Sequence, residues 1–388
     1  FLLHLQDHPW RTRDPEEAAV FVIPGLFSVP LWNEKSCVLS LNEMSTTLAS
    51  AVEKSRWFNR YQGHDHLMVM GYYKAEQYVR DTSSKWRELL KYATLALHSE
   101  EKKFIGSQVP RCLISVGHHA VSSYENIKHN EVKTREDLIL MRPLKQDLLD
   151  IQAKDSLKPQ QRSIFMLGQA NRRKYYKHRV TAIKKLGGVG VNSFIAASKC
   201  ETGIVLTPCG IFESIPKTAG DTIIDDVPVT PVTNCCLNNS MFYGSFVKQM
   251  MMSNFSLLIK GGDAGSSRFA DALALSVPQL ILSDGFYERY APFPCIVPWR
   301  QITEQISEKD FQQQPEQAVE KALTRATERR ESMIRLQQQY VSDVDWTHPH
   351  TLAPNNLLVE TVRKCFIGTG LERKSAVVDR VMKGTKKV

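Results

Sequence analysis

The chain has 388 residues, 42% of them hydrophobic, enough for two domains with their own cores. Its formal net charge is +9, but the last 28 residues, from Thr361, hold eight Lys or Arg against two acids. The body is thus near neutral, which argues against a nucleic-acid binder, and no apolar run reaches the ~18 residues of a spanning helix.

His8–Ala18 reads as a loop entering a short helix. Asp14 suits a cap, Pro15 the first helical position, and Glu16 and Glu17 the positive helix end. Ala19–Pro24 reads as a strand. Phe58-Asn59-Arg60 and Gly63-His64-Asp65-His66 come next, ahead of a strand over Leu67–Met70. A loop with aromatics, histidine and aspartate opening onto a strand is where catalytic groups gather; a capped turn with surface histidines is the plainer reading. His-x-His permits a metal, but the sequence places no third ligand.

Tyr72–His98 carries helical periodicity, broken near Asp81–Ser84, with Trp86, Leu89, Leu90, Ala93, Leu95 and Leu97 on one apolar side. Arg111–Val116 is a strand, and polar Lys145–Gln161 reads as a linker. Arg162–Gly168 restarts a strand ending in glycine, as the first strand of a nucleotide-binding half does. Tyr176–Leu186 is a helix carrying Arg179. Gly188–Asp226 reads as irregular.

Asn254–Gly285 is the stretch around which the rest is arranged. Phe255–Ile259 is a short buried strand, followed by Gly261, Gly262, Asp263, Gly265 and two hydroxyls, Ser266 and Ser267. Arg268 opens a helix with Phe269, Ala272, Leu273 and Leu275 on its apolar side. Leu280–Leu282 is a second strand, stopped by Ser283-Asp284-Gly285. Strand, glycine loop, helix, strand is a βαβ unit. Its helix start suits an anion, and Arg268 can fork onto a phosphate. Equally, Ser266 or Ser267 can be only a cap, and Arg268 can simply pair with Asp271. Beyond Asp284, Phe286, Tyr287, Tyr290 and Phe293 either stack a base or sugar or pack a loop. Pro315–Tyr340 is a long charged helix, and Asn355–Phe366 begins a last one.

Eight cysteines are present, Cys37, Cys112, Cys200, Cys209, Cys235, Cys236, Cys295 and Cys365. None forms a CxxC pair or a zinc-spaced cluster, and their pairing is left open.

Several of these segments, in this order, resemble the exostosin-type glycosyltransferases, glycosyltransferase family 47. Thr12–Pro24 matches the segment leading into the family's first strand. Phe58-Asn59-Arg60 with Gly63-His64-Asp65-His66 matches its Asn-Arg and Gly-Arg-Asp-His piece, with His64 where arginine is usual. Arg135-Glu136-Asp137-Leu138 is similar to a further piece. Ser266-Ser267-Arg268, Asp271-Ala272-Leu273 and Ser283-Asp284 match its donor segment, with Pro278 shifted by one.

The resemblance implies an α/β protein of the GT-B type, two Rossmann-like domains facing a cleft. Residues 1–150 would be the acceptor side, 151–340 the nucleotide-sugar domain, and 341–388 C-terminal helices and a basic tail. It implies inverting transfer of a sugar from a nucleotide sugar, a uridine diphosphate sugar first, to a glycan hydroxyl. Gly168, Arg179, Gly262, Asp263, Ser266, Ser267, Arg268, Asp271, Ser283 and Asp284 would bind the donor. Arg60 and His64 would lie on the acceptor side, with Asp65 as base and His66 as its substitute or orienter. No cofactor and no metal are implied. The implied setting is the Golgi or endoplasmic reticulum lumen, with an N-terminal membrane anchor outside this sequence and a possible dimer with a related transferase. An inactive, glycan-binding or partner-stabilising member of the family is the alternative.

Overall fold

Both main sheets are wholly parallel, so the expected α/β class is the observed one. The structure is a computed structural model. It describes residues 8–23, 41–70, 84–97, 112–117, 162–170, 176–186, 193–200, 223–224, 227–228, 250–251, 253–261, 265–346, 348, 350–367 and 369–371. The chain divides into two units. One takes Phe1–Gly117, Arg289–Val297 and Thr351–Val388, the other His118–Glu288 and Pro298–His350. A short middle segment and the C-terminal segment thus both belong to the first unit.

The first unit holds four strands in the order β1-β2-β3-β4: Phe21–Ile23, His66–Met70, Thr94–Leu97 and Cys112–Ser115. Helices α1 (Leu41–Lys54) and α2 (Arg56–Arg60) lie between β1 and β2 in the chain, and α3 (Ser84–Leu89) precedes β3. Leu95 and Leu97 therefore stand in a strand, not on the helical side that their spacing suggested. All four residues of β3 are buried. A strand covered on both faces reads as a continuous apolar run, which a short helix segment mimics. Cys112 of β4 is bonded to Cys365 across 253 residues of chain. Lys364 Nζ donates to the Leu113 carbonyl at 2.7 Å, and His8 Nε2 meets Asn355 Oδ1 at 2.8 Å. These three links hold the C-terminal segment in the first unit.

The second unit holds β5 (Arg162–Ala170), β6 (Ser193–Cys200), β9 (Ser253–Ile259), β10 (Gln279–Leu282) and β11 (Thr303–Ile306), with a small separate hairpin of β7 (Ile223–Ile224) and β8 (Val227–Pro228). The five-stranded order is β11-β10-β9-β5-β6. From β5 the chain first steps to β6 on one side, then returns to the other side through β9, β10 and β11. That is a doubly wound sheet, and its order reverses between β5 and β9, the place where such sheets bind ligands at their carboxyl edge. β6 falls in the stretch read as irregular. Its sequence, Ser193-Phe194-Ile195-Ala196-Ala197-Ser198-Lys199-Cys200, has only two large apolar residues, and pairing with β5 makes it a strand.

Helices α4 (Lys177–Leu186), α5 (Ser267–Ala274), α6 (Phe286–Arg289), α7 (Trp299–Ile302), α8 (Glu308–Gln313) and α9 (Pro315–Val344) accompany this sheet. α9 begins with Pro315 at its first turn, where a missing N–H costs nothing. It buries Ala318, Val319, Ala322, Ala326 and Met333 against the core of the sheet. α10 (Ala353–Glu360) and a π-helical turn (Thr361–Cys365) belong to the first unit.

Candidate functional site

The paired strand ends set the geometry. Ile259, Leu282 and Ile306 stand side by side in register as the last residues of β9, β10 and β11. The backbone then leaves the sheet at one common edge, and α5 starts there. Ser266 is its N-cap, extended at φ −161°, and its hydroxyl accepts from Arg268 N at 3.3 Å. Arg268 Nη1 lies 3.3 Å from Asp271 Oδ2, and Asp271 is wholly buried while the arginine side chain is 33% exposed. The capping and pairing readings are thus both present in the structure. They aim the guanidinium rather than consume it, since a buried carboxylate anchors one side of a group that still reaches solvent. Gly262 and Asp263 lie outside the described residues, as does the side chain of Ser267.

Arg179, on the first turn of α4, comes to the same place. Its Nε and Nη2 donate to the Ile259 carbonyl at 3.2 and 3.1 Å. Its guanidinium also stacks on Tyr176, 4.9 Å from the ring centroid. Among the described residues no carboxylate pairs with it. Burial pushes it below its ordinary value; Tyr176 opposes this, and the positive charge of Arg268 adds to it. Gly168, two residues before the end of β5, leaves room: a Cβ there would sit 3.4 Å from Arg179 Nη1. Gly168, Arg179, Ile259, Ser266 and Arg268 line one small cavity of about 20 Å³. It lies along β5 and β9 toward their carboxyl ends, at the reversal point of the sheet. Two guanidiniums beside the capped start of a helix, one of them paired with a carboxylate among the described residues, make a site suited to an anion.

Ser283 and Asp284 follow the end of β10, and Asp284 joins a separate cluster. Ser283 is wholly buried, its hydroxyl without a hydrogen-bond partner among the described residues. Asp284 Oδ1 accepts from Glu308 N, and Glu308 Oε1 accepts from Asp284 N, both at 3.0 Å. Lys260 Nζ reaches the same carboxylate at 2.5 to 2.6 Å, and His178 Nε2 lies 3.4 Å from Glu308 Oε2. The sequence reading passed over Lys260, Glu308 and His178. The available signal was position, since Lys260 and Glu308 stand just past the ends of β9 and β11, as Asp284 does past β10.

In the first unit, Gly63 takes φ +83°, and a Cβ there would fall 2.4 Å from Phe58 Cζ, so the turn into β2 requires glycine. Asp65, next along, is wholly buried. Its Oδ1 meets His66 Nδ1 at 2.8 Å, and Arg60 Nη2 lies 3.8 Å from its Oδ2. The His66 ring stacks on Phe21 at 4.9 Å and takes Phe58 edge-on. Asp65 therefore orients an imidazole, and His66 is the outer member of the pair. Arg60 also holds Glu16 at 2.8 Å, and His64 leans on Tyr92. The aromatics after Asp284 pack: Phe286, Tyr290 and Phe293 are fully buried, and the Tyr287 hydroxyl is bonded to Thr303.

A comparison with curated proteins finds a probable xyloglucan galactosyltransferase of Arabidopsis thaliana, 28% identical over 74 residues. The match covers 18% of this chain and only 16% of that protein. The sequence profile of the exostosin GT47 domain matches residues 1–322. The two parallel α/β units are what a GT-B-type fold requires of its halves. With most of its length matched, the chain belongs to the exostosin GT47 family.

Proposed function

We propose that this protein moves a sugar from a nucleotide sugar, a uridine diphosphate sugar first, to a hydroxyl of a glycan, with inversion at the anomeric carbon. The observation that carries this is the meeting of Arg179 and Arg268 at the reversal point of the second sheet, with no carboxylate on Arg179 among the described residues. A diphosphate would supply the missing negative charge.

Inversion is a single displacement. The acceptor oxygen attacks the anomeric carbon, the bond to the diphosphate breaks, and the acceptor proton must go to a base. Negative charge grows on the leaving diphosphate. Guanidiniums and helix N–H groups fixed in advance stabilise it without reorganisation at the moment of reaction. His66 is the proposed proton acceptor. Asp65 takes its Nδ1–H, which leaves Nε2 with the lone pair. Positive charge comes from Arg179 and Arg268, so turnover is expected to survive chelation of divalent ions.

The lumen of the secretory pathway is the proposed setting, supported by the Cys112–Cys365 disulfide, a bond that persists in oxidising compartments. Among the described residues no helix is long and apolar enough to cross a membrane.

One observation favours the non-catalytic alternative. Asp65 and His66 are both buried, so neither the proposed base nor its partner stands open to solvent. A screen of nucleotide sugars with and without glycan acceptors, reading diphosphate release, separates the two. Release that depends on acceptor supports transfer. Binding of the nucleotide without release from any donor supports the alternative.

A further inference from the structure

We propose that Glu308 is a positioning residue for the donor site, acting through Arg179; this rests on the donor-binding reading above. The argument starts from how Arg179 is held. Its guanidinium is seated on the Ile259 carbonyl and lies against Gly261, where a Cβ would come 2.9 Å from Nη2. The seat is therefore the backbone of 259–261. Its root is the first turn of α4. Glu308 grips both.

On the seat side, Lys260 stands between Ile259 and Gly261, and its ammonium is bound to the Glu308 carboxylate at 2.5 to 2.6 Å. On the root side, His178 precedes Arg179, is 3% exposed, and faces Glu308 Oε2 at 3.4 Å. Glu308 is itself fixed by the reciprocal pair of bonds with Asp284, so the anchor is tied to β10. Its side chain is 12% exposed. The transfer step proposed above assigns no role to this carboxylate. A negative group beside a diphosphate site opposes binding unless it is spent on cations, and here both its cationic and imidazole partners border Arg179. A flexible arginine loses several rotamers on binding; one whose seat and root are pinned by the same group has lost them beforehand.

The test is a double-mutant cycle read by calorimetric titration with UDP, well below the melting temperature. The proteins are wild type, Glu308→Gln, Arg179→Met and the double variant, with Arg268→Ala alongside. Glu308→Gln keeps the shape and the bond from Asp284 N but removes the charge that holds Lys260. The expected result is a UDP affinity at least about fivefold weaker than wild type, and no further loss from Glu308→Gln once Arg179 is methionine. A residue that merely stabilised the unit would lower the melting temperature and leave the affinity unchanged. An unchanged affinity in Glu308→Gln overturns the proposal, and so does an equal loss in both Arg179 backgrounds. Should Glu308→Gln fail to fold, Lys260→Met runs the same cycle with the same outcomes. If wild type does not bind UDP, or Arg268→Ala binds as well as wild type, the donor-site reading itself has failed. That result is distinct from loss of the Glu308 effect alone.

Discussion

A Cβ on Gly261 would lie 2.9 Å from Nη2 of Arg179. The obstacle is the tip of a long side chain, so the fold can absorb an alanine by moving it. Gly261→Ala is therefore expected to leave the melting temperature close to wild type while displacing the guanidinium from the cavity. Affinity for UDP should fall by about tenfold, near 1.4 kcal/mol. Unchanged affinity would show that Arg179 does not reach the ligand.

Arg268 does two things, and the variants should separate them. Arg268→Ala removes a charge facing the diphosphate and the partner of a buried carboxylate, Asp271. The barrier to transfer should rise by about 2–4 kcal/mol, with some loss of stability as well. Arg268→Lys restores charge without the planar fork, so it should recover stability more fully than turnover. Equal turnover in wild type and alanine variant would reduce Arg268 to a helix pair.

Glycan transfer and nucleotide binding should come apart at the Asp65–His66 pair. Asp65→Asn keeps the shape but turns a hydrogen-bond acceptor into a group that no longer favours the imidazole carrying a proton on Nδ1. Turnover is expected to fall about 10²-fold or more, with UDP affinity preserved. His66→Gln should lose at least as much. Full turnover in both would place the base elsewhere. Because Asp65 is wholly buried against Arg60 and His66, the asparagine variant should also melt earlier.

Acid should weaken the second unit in two steps. Burial lowers the His178 pKa from its ordinary 6.5; Glu308 opposes this, and Lys177 and Lys260 add to it. Burial alone would raise Glu308, but the Lys260 and Asp284 hydrogen bonds and the nearby cations leave it below its ordinary 4.5. Both folded values are depressed. Each contribution is therefore present above the unfolded value and is lost as pH falls through the folded one. For His178 the loss begins below 6.5; for Glu308 it comes lower. Melting temperature should drop between about pH 7 and pH 5, and His178→Gln should flatten that part of the curve. A flat wild-type curve over this range would mean that His178 does not shape stability there.

The sequence showed the βαβ unit around Arg268 well because three signals agree there: a short apolar run, a glycine loop and a helical pattern. It also showed a strand over Arg162–Gly168, which in the structure runs on to Ala170, and Arg179 on the next helix, but not that the two meet Arg268. Strand order decides that, and no local pattern carries it. β3 was obscured because burial on both faces erases alternation, and β6 because small residues give little signal. Lys260 and Glu308 are ordinary charged positions until register brings three strand ends level, and His178 is an ordinary helix position until α4 packs beside them. The burial of Asp65 was equally hidden, since an aspartate two residues after a glycine reads as a turn.

The most direct measurement is a crystal structure of the protein with UDP. The account predicts the diphosphate at the carboxyl ends of β5 and β9, its oxygens within about 3 Å of both Arg179 and Arg268 and against the start of α5. UDP seated elsewhere, or a site there that stays unbound at saturating UDP, would contradict it.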